Sequence, residues 1–203
     1  MPDNPIKVVA ICGSLNPKSK TRLALQTALR GAAEKGAETQ LIDLLDYDLV
    51  FANGRDDYPG CVHHLREDVR QAHGIILGTP EYHGGYSGVL KNALDLMGFK
   101  EFQGKIVGLL GVAGGATGAI NSLNGLRTVC RNLRAWVVPN QVSIAQAWKE
   151  FDDSGRLKDS QLEARVLELG QEVARFAYLH HSDAAKEFLR TWEEAPENPG
   201  GDQ

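Results

Sequence analysis

Three short stretches gather the residues that could hold a small molecule. In GSLNPKSKT, Gly13 to Thr21, the side chains of Ser14, Asn16, Ser19 and Thr21 offer hydroxyl and amide donors just ahead of a helical repeat carrying Leu25 and Ala28. A helix start has unpaired backbone N–H groups and the positive end of the helix dipole, which together suit a phosphate. Arg22, within the first turn, can add charge, as can Lys18 and Lys20. Ser19 or Thr21 would equally serve as a plain helix cap, so this stretch alone leaves capping and phosphate binding both open.

The second stretch, TPEYHGG from Thr79 to Gly85, brings a direction-setting proline (Pro80), planar surfaces (Tyr82 and His83) and two glycines (Gly84 and Gly85) that allow close approach of backbone. These can line an edge and a face of an aromatic ring system. The third, GVAGGATG from Gly111 to Gly118, removes side chains where the edge of a flat ligand could meet backbone amides.

Other chemistries lack their residues. No G-x-G occurs for a dinucleotide and no G-K-[ST] for a nucleoside triphosphate, which favours a monophosphate over a pyrophosphate. The HGG of His83 to Gly85 has no G-x-S-x-G elbow to accompany it, which excludes the usual hydrolase arrangement. The pairs His63–His64 and His180–His181 have no carboxylate or thiol at a ligand spacing and read as solvated surface, so no metal is expected. Cys12, Cys61 and Cys130 are widely spaced and read as reduced thiols.

These stretches need elements to bring them together. Apolar runs of strand length occur at Ile6–Cys12, Thr39–Leu44, Gly74–Gly78, Lys105–Val112 and Trp136–Ile144, continuous rather than alternating, as in strands covered on both faces. Between and after them lie helical repeats marked by Leu25 to Ala32, Cys61 to His73, Leu90 to Met97, Leu126 to Leu133 and Leu162 to Phe176, with a further helix possible from Ser182 to Trp192. Gly36 and Gly98 are placed to close two of the helices in a left-handed conformation. The alternation predicts a doubly wound α/β sandwich with a parallel sheet. With strand order 2-1-3-4-5, the loops after the first, third and fourth strands converge at the switch point where such sheets bind ligands.

The chain of 203 residues is read as one domain over residues 1–194, followed by a disordered tail at 195–203. With 22 basic against 26 acidic residues and no basic stripe, nucleic acid is not an expected partner. No apolar run approaches a signal-peptide core or a membrane span, so the expected location is cytoplasmic.

The motifs GSLNPKSKTRLA, PEYHGGYSGVLKNALD and GVAGGATGAINSLNGLRTVCRNLRA, in this order and spacing, resemble those of the NADPH-dependent FMN reductase family, over about Ile6 to Ile144. That family includes FMN-dependent azoreductases, quinone reductases and chromate reductases. The resemblance implies a flavodoxin-like fold: a five-stranded parallel sheet of order 2-1-3-4-5 in a three-layer α/β/α sandwich. It implies FMN as cofactor, with Ser14, Asn16, Ser19 and Thr21 around the phosphate, joined by Arg22. Pro80, Glu81, Tyr82, His83, Ala113, Gly114 and Gly115 would border the isoalloxazine. Many members have arginine where this chain has Asn16.

The implied reaction is ping-pong: hydride from NADPH or NADH to FMN, then electrons to a small-molecule acceptor such as a quinone, azo compound, flavin or metal oxyanion. No side chain is expected as a catalytic residue, because the flavin carries the chemistry. A homodimer or homotetramer is also implied, and the apolar residues Val89 and Leu96 widen the buried face of the helix after PEY in a way that suits an interface. The alternative of the same fold is a flavodoxin-like electron carrier that does not oxidise NAD(P)H. The acidic surface and threonine-rich loop of such carriers are missing here.

Overall fold

In a computed structural model, residues 5–55 and 57–194 are described. The expected tail at 195–203 lies outside them. Strands β1 (Lys7–Cys12), β2 (Glu38–Asp43), β3 (Gly74–Tyr82), β5 (Ile106–Val112) and β6 (Trp136–Ile144) form a parallel sheet in the order β2-β1-β3-β5-β6. A two-residue strand, β4 (Gly85–Tyr86), folds back antiparallel onto the end of β3. With β4 set aside, this is the expected 2-1-3-4-5 order, the flavodoxin-like arrangement.

Helices α1 (Lys20–Glu34) and α7 (Ser160–His181) pack on one face of the sheet through Leu25, Ala28, Val166 and Val173. On the other face lie α2 (Gly60–Arg70), α3 (Gly88–Asp95), α4 (Phe99–Phe102) and α5 (Ile120–Asn132), contributing Leu65, Leu90, Phe102 and Leu126. Two glycines allow α1 and α7 to cross closely. A Cβ on Gly170 would stand 1.7 Å from the Ala28 carbonyl oxygen, and one on Gly31 would stand 2.1 Å from that of Leu167. The short helix α6 (Ala147–Glu150) follows β6, and α8 (Asp183–Glu193) continues the chain after α7.

Continuous burial holds for β1, β3 and β5, which have neighbours on both sides. The edge strands β2 and β6 are partly exposed instead. In β6 the pairing slips by two residues between Val107↔Val137 and Leu109↔Gln141, and Pro139 sits in that slip, where an edge strand can do without its N–H.

Three expectations are corrected. The segment Thr79–Tyr82 is strand, not loop: Thr79 and Pro80 pair with Gly111 and Val112, and Glu81 and Tyr82 with Tyr86 and Gly85. Gly36 (φ +83°) does close α1, with its own N–H and that of Ala37 donating to the carbonyls of Ala33 and Ala32. Gly98, however, is extended and opens α4. Finally, Leu96 is only 1 % exposed within the chain itself and does not provide a free second face beside α3.

Candidate active site

The parallel direction of β1, β3 and β5 brings their carboxyl ends to one rim, and side chains tie the three segments that follow. Gly13 donates its N–H to the Gly78 carbonyl (2.8 Å). The Ser87 hydroxyl, at the N-cap of α3, donates to the Gly13 carbonyl (2.6 Å) and accepts from the Leu90 N–H (3.1 Å). The Ser87 N–H donates in turn to the Thr79 hydroxyl (2.9 Å). All five residues in this chain of contacts are buried, and the contacts tie the first loop to the hairpin.

The first loop is wound around its own side chains. Asn16 Oδ1 accepts from the Lys18 N–H (2.8 Å), and Ser14 Oγ accepts from the Asn16 N–H (3.4 Å). Ser19 caps α1, its hydroxyl accepting from the Arg22 N–H (3.1 Å). The capping reading is therefore right for Ser19. Thr21 is not the cap: it lies inside the first turn of α1 and is 2 % exposed. The amides of Lys20 and Thr21 lie ahead of the first intrahelical bond. Hydroxyls of Ser14 and Thr21 beside two open helix amides are a donor set that fits a phosphate.

The Arg22 guanidinium has partners within the protein. Its Nε pairs with the Asp43 carboxylate at the end of β2, and its Nη1 and Nη2 donate to the carbonyls of Pro17 (3.0 Å) and Asn16 (3.4 Å). Its hydrogen bond to the Asp43 carboxylate holds its basicity above the ordinary guanidinium value. The charge is thus spent on supporting the loop from below. Beneath it, burial pushes the Cys12 thiol up, which keeps that sulfur protonated.

The hairpin explains the HGG. His83 (φ +52°) and Gly84 (φ +78°) are the two central residues of the turn between Tyr82 and Gly85, both left-handed, as a tight two-residue hairpin requires. His83 is exposed, Tyr82 is 56 % exposed, and Pro80 is buried in the strand. The Glu81 carboxylate has partners within the protein. Its carboxylate accepts from the Ser122 N–H (3.0 Å) and lies 3.5 Å from Asn121 Nδ2, capping α5, whose own N-cap residue Ala119 has no side-chain acceptor. Tyr86 packs its ring against Gly125 of the same helix.

The third loop is anchored by its ends. The Ala113 N–H donates to the Ile144 carbonyl and the Ala113 carbonyl accepts from the Ala147 N–H (2.8 and 3.0 Å), while the Gly115 carbonyl accepts from the Gln146 N–H (3.0 Å). Gly114 and Gly115 are exposed and face open space, where a side chain would stand in the way of a flat ligand.

A cleft of about 560 Å³ adjoins the first loop and hairpin, walled by Leu15, Leu44, Tyr47, Phe51, Tyr82 and Val89. Phe51 is 83 % exposed although the chain on either side is held. Asn92 donates to the Val50 carbonyl (3.0 Å) and accepts from the Ala52 N–H (3.2 Å).

Sequence reasoning passed over Asp43 and Ser87. Ser87 carried a signal, a serine just before an apolar helical repeat. Asp43 carried only the oddity of a carboxylate closing a buried strand. The histidine pairs also differ from expectation in one member. His63, His64 and His180 are exposed, but His181 is partly buried against His73, with ring centroids 5.3 Å apart, and its Nε2 has no hydrogen-bond partner among the described residues.

The family model for NADPH-dependent FMN reductase matches residues 6–149. The NADPH-dependent FMN reductase ArsH of Shigella flexneri is 34 % identical over 180 residues, 86 % of this chain and 70 % of that one. An FMN-dependent NADPH-azoreductase of Staphylococcus aureus is 39 % identical over 114 residues, 55 % of this chain and 60 % of the relative. Among solved structures, a flavoenzyme NAD(P)H:acceptor oxidoreductase of Paracoccus denitrificans superposes with a TM-score of 0.71 at 22 % identity, covering 86 % of this chain and 98 % of the other. That structural likeness speaks for the fold.

Proposed function

This chain belongs to the NADPH-dependent FMN reductase family, and from that premise we propose that it is a flavoenzyme oxidising NADPH or NADH and reducing a small acceptor: a quinone, an azo compound, a free flavin or a metal oxyanion. The observation that carries this reading is the first loop. Thr21 lies in the first turn of α1 and Ser14 in the loop ahead of it, and Leu15, next to Ser14, lines the open cleft. Bound FMN would supply the chemistry, accepting hydride at its N5 and passing electrons on.

The chain's own residues hold and shape. Ser14, Ser19 and Thr21 donate hydroxyl protons and Asn16 its Nδ2 to the phosphate. Pro80, Tyr82 and His83 set one border of the ring. The backbone of Ala113, Gly114 and Gly115 sets another, where missing side chains let amides approach a ring edge. Arg22 and Glu81 act at one remove, by supporting the first loop and the start of α5. Residues 5–194 then act as one domain. Apolar side chains exposed around the cleft at Leu15, Leu45, Val50 and Phe51 support a homodimer or homotetramer better than α3 does. No helix among the described residues is long and apolar enough to cross a membrane, which fits a cytoplasmic location.

Mixing the flavin-loaded protein with NADPH and with NADH in a stopped-flow instrument tests the reading. Bleaching of the flavin band by a nicotinamide, followed by its return on adding a quinone or azo compound, is expected. Protein that binds FMN but is not bleached by either nicotinamide would be a carrier instead.

A further inference from the structure

We propose that Asp43, at the end of β2, is a positioning residue for the phosphate loop and acts on it through Arg22. The proposal rests on the reading of Gly13–Thr21 as the FMN phosphate site.

The Arg22 guanidinium is a rigid planar fork, and here each of its three nitrogens has a different partner. Nε reaches the carboxylate of Asp43, while Nη1 and Nη2 reach the carbonyls of Pro17 and Asn16 in the loop. Both side chains are largely enclosed, at 16 % and 11 % exposure, so solvent screens the pair weakly. A planar trans peptide points its N–H away from its C=O. Drawing the Pro17 carbonyl toward the guanidinium therefore turns the Lys18 N–H away, onto Asn16 Oδ1 (2.8 Å). That closes the turn delivering Ser19 to its capping position and Thr21 to the buried start of α1.

Asp43 also offsets the arginine's charge. Without the carboxylate, the guanidinium is an unpaired cation free to leave the two carbonyls. The loop then loses the hydrogen bonds that fix its curvature, and its hydroxyls no longer converge. Asp43 has a second contact, Oδ1 accepting from the Leu45 N–H (3.1 Å) to cap the 3-10 turn Leu44–Asp46. Asp43→Asn keeps an oxygen for that cap and replaces the charged acceptor that holds Arg22 with an amide NH2 that cannot accept its proton, which makes it the informative substitution.

Full-length protein stripped of flavin is titrated with FMN and with riboflavin, which lacks the phosphate, and the ratio of the riboflavin dissociation constant to the FMN dissociation constant is compared between wild type and Asp43→Asn. We expect FMN to bind roughly 3- to 10-fold more weakly, as for the loss of one ordinary hydrogen bond's net worth, with riboflavin affinity unchanged and Asp43→Glu recovering part of the loss. Arg22→Gln should lower the ratio similarly, and the double variant should lose no more than either. An unchanged ratio, an equal loss for both flavins, or tighter FMN binding by a freed arginine would each overturn the role of Asp43. A wild type with no preference for FMN over riboflavin would overturn the phosphate-loop reading itself. If Asp43→Asn does not fold, Arg22→Gln reads the same ratio: a lowered ratio supports the proposal and an unchanged one overturns it.

Discussion

Replacing Glu81 separates a helix cap from a ligand contact. Its carboxylate is the side-chain acceptor at the start of α5, 3.0 Å from the Ser122 N–H, at a helix whose N-cap is alanine. Losing such a cap costs about 0.5 to 2 kcal/mol, and the part due to the negative charge at the dipole's positive end is about 0.3 to 1 kcal/mol. Glu81 is partly exposed, which places the charge contribution at the lower end. Glu81→Ala should therefore destabilise the flavin-free protein by about 1 to 2 kcal/mol, and Glu81→Gln, which keeps an acceptor oxygen, by about 0.5 kcal/mol. Urea unfolding followed by circular dichroism reads both, and the gap between glutamate and glutamine should narrow in high salt. The reasoning fails if Glu81→Ala leaves the flavin-free protein as stable as wild type while weakening FMN binding, since the carboxylate would then face the ring and not the helix.

Three further outcomes are expected. Gly84→Ala should cost about 1 to 2 kcal/mol because the residue sits at φ +78°, whereas His83→Asn at φ +52° should be close to neutral; thermal unfolding of the two variants side by side checks this. Ser87→Ala removes a buried hydroxyl that bonds Gly13 and Leu90, so a loss of about 1 to 3 kcal/mol in urea unfolding should come with weakened flavin binding, because the first loop is untied from the hairpin. Burial, with the nearby basic groups His73, His180, Lys186 and Lys105 adding to it, pushes His181 down to about 4 from its ordinary 6.5. The folded protein resists a proton that the unfolded chain accepts, so stability is full above about pH 6.5 and is lost as pH falls toward about 4. His181→Gln should flatten that part of the profile in unfolding midpoints measured across pH.

Much of the fold was legible because its signals are local. A strand covered on both faces must be apolar throughout, and a helix against a sheet must repeat its apolar residues every three or four positions, so β1, β3, β5 and the major helices stand out from composition and period alone. The edge strands were read as equally buried because their run of apolar residues does not reveal whether a neighbour lies on both sides.

The site divides in the same way. Residue types alone marked the three segments, since a phosphate needs donors at a helix start and a flat ligand needs missing side chains. Which side chain serves the ligand and which serves the protein depends on partners far away in the chain. Arg22 meets Asp43 across 21 positions, Glu81 meets Ser122 across 41, and Ser87 meets Gly13 across 74. Residue type determines what a group can bond, and that much the sequence carried unaided. Only the crossing of the strands decides what lies within about 3 Å of it, which is why the arginine of the first loop meets Asp43 and the glutamate of the hairpin meets the start of α5.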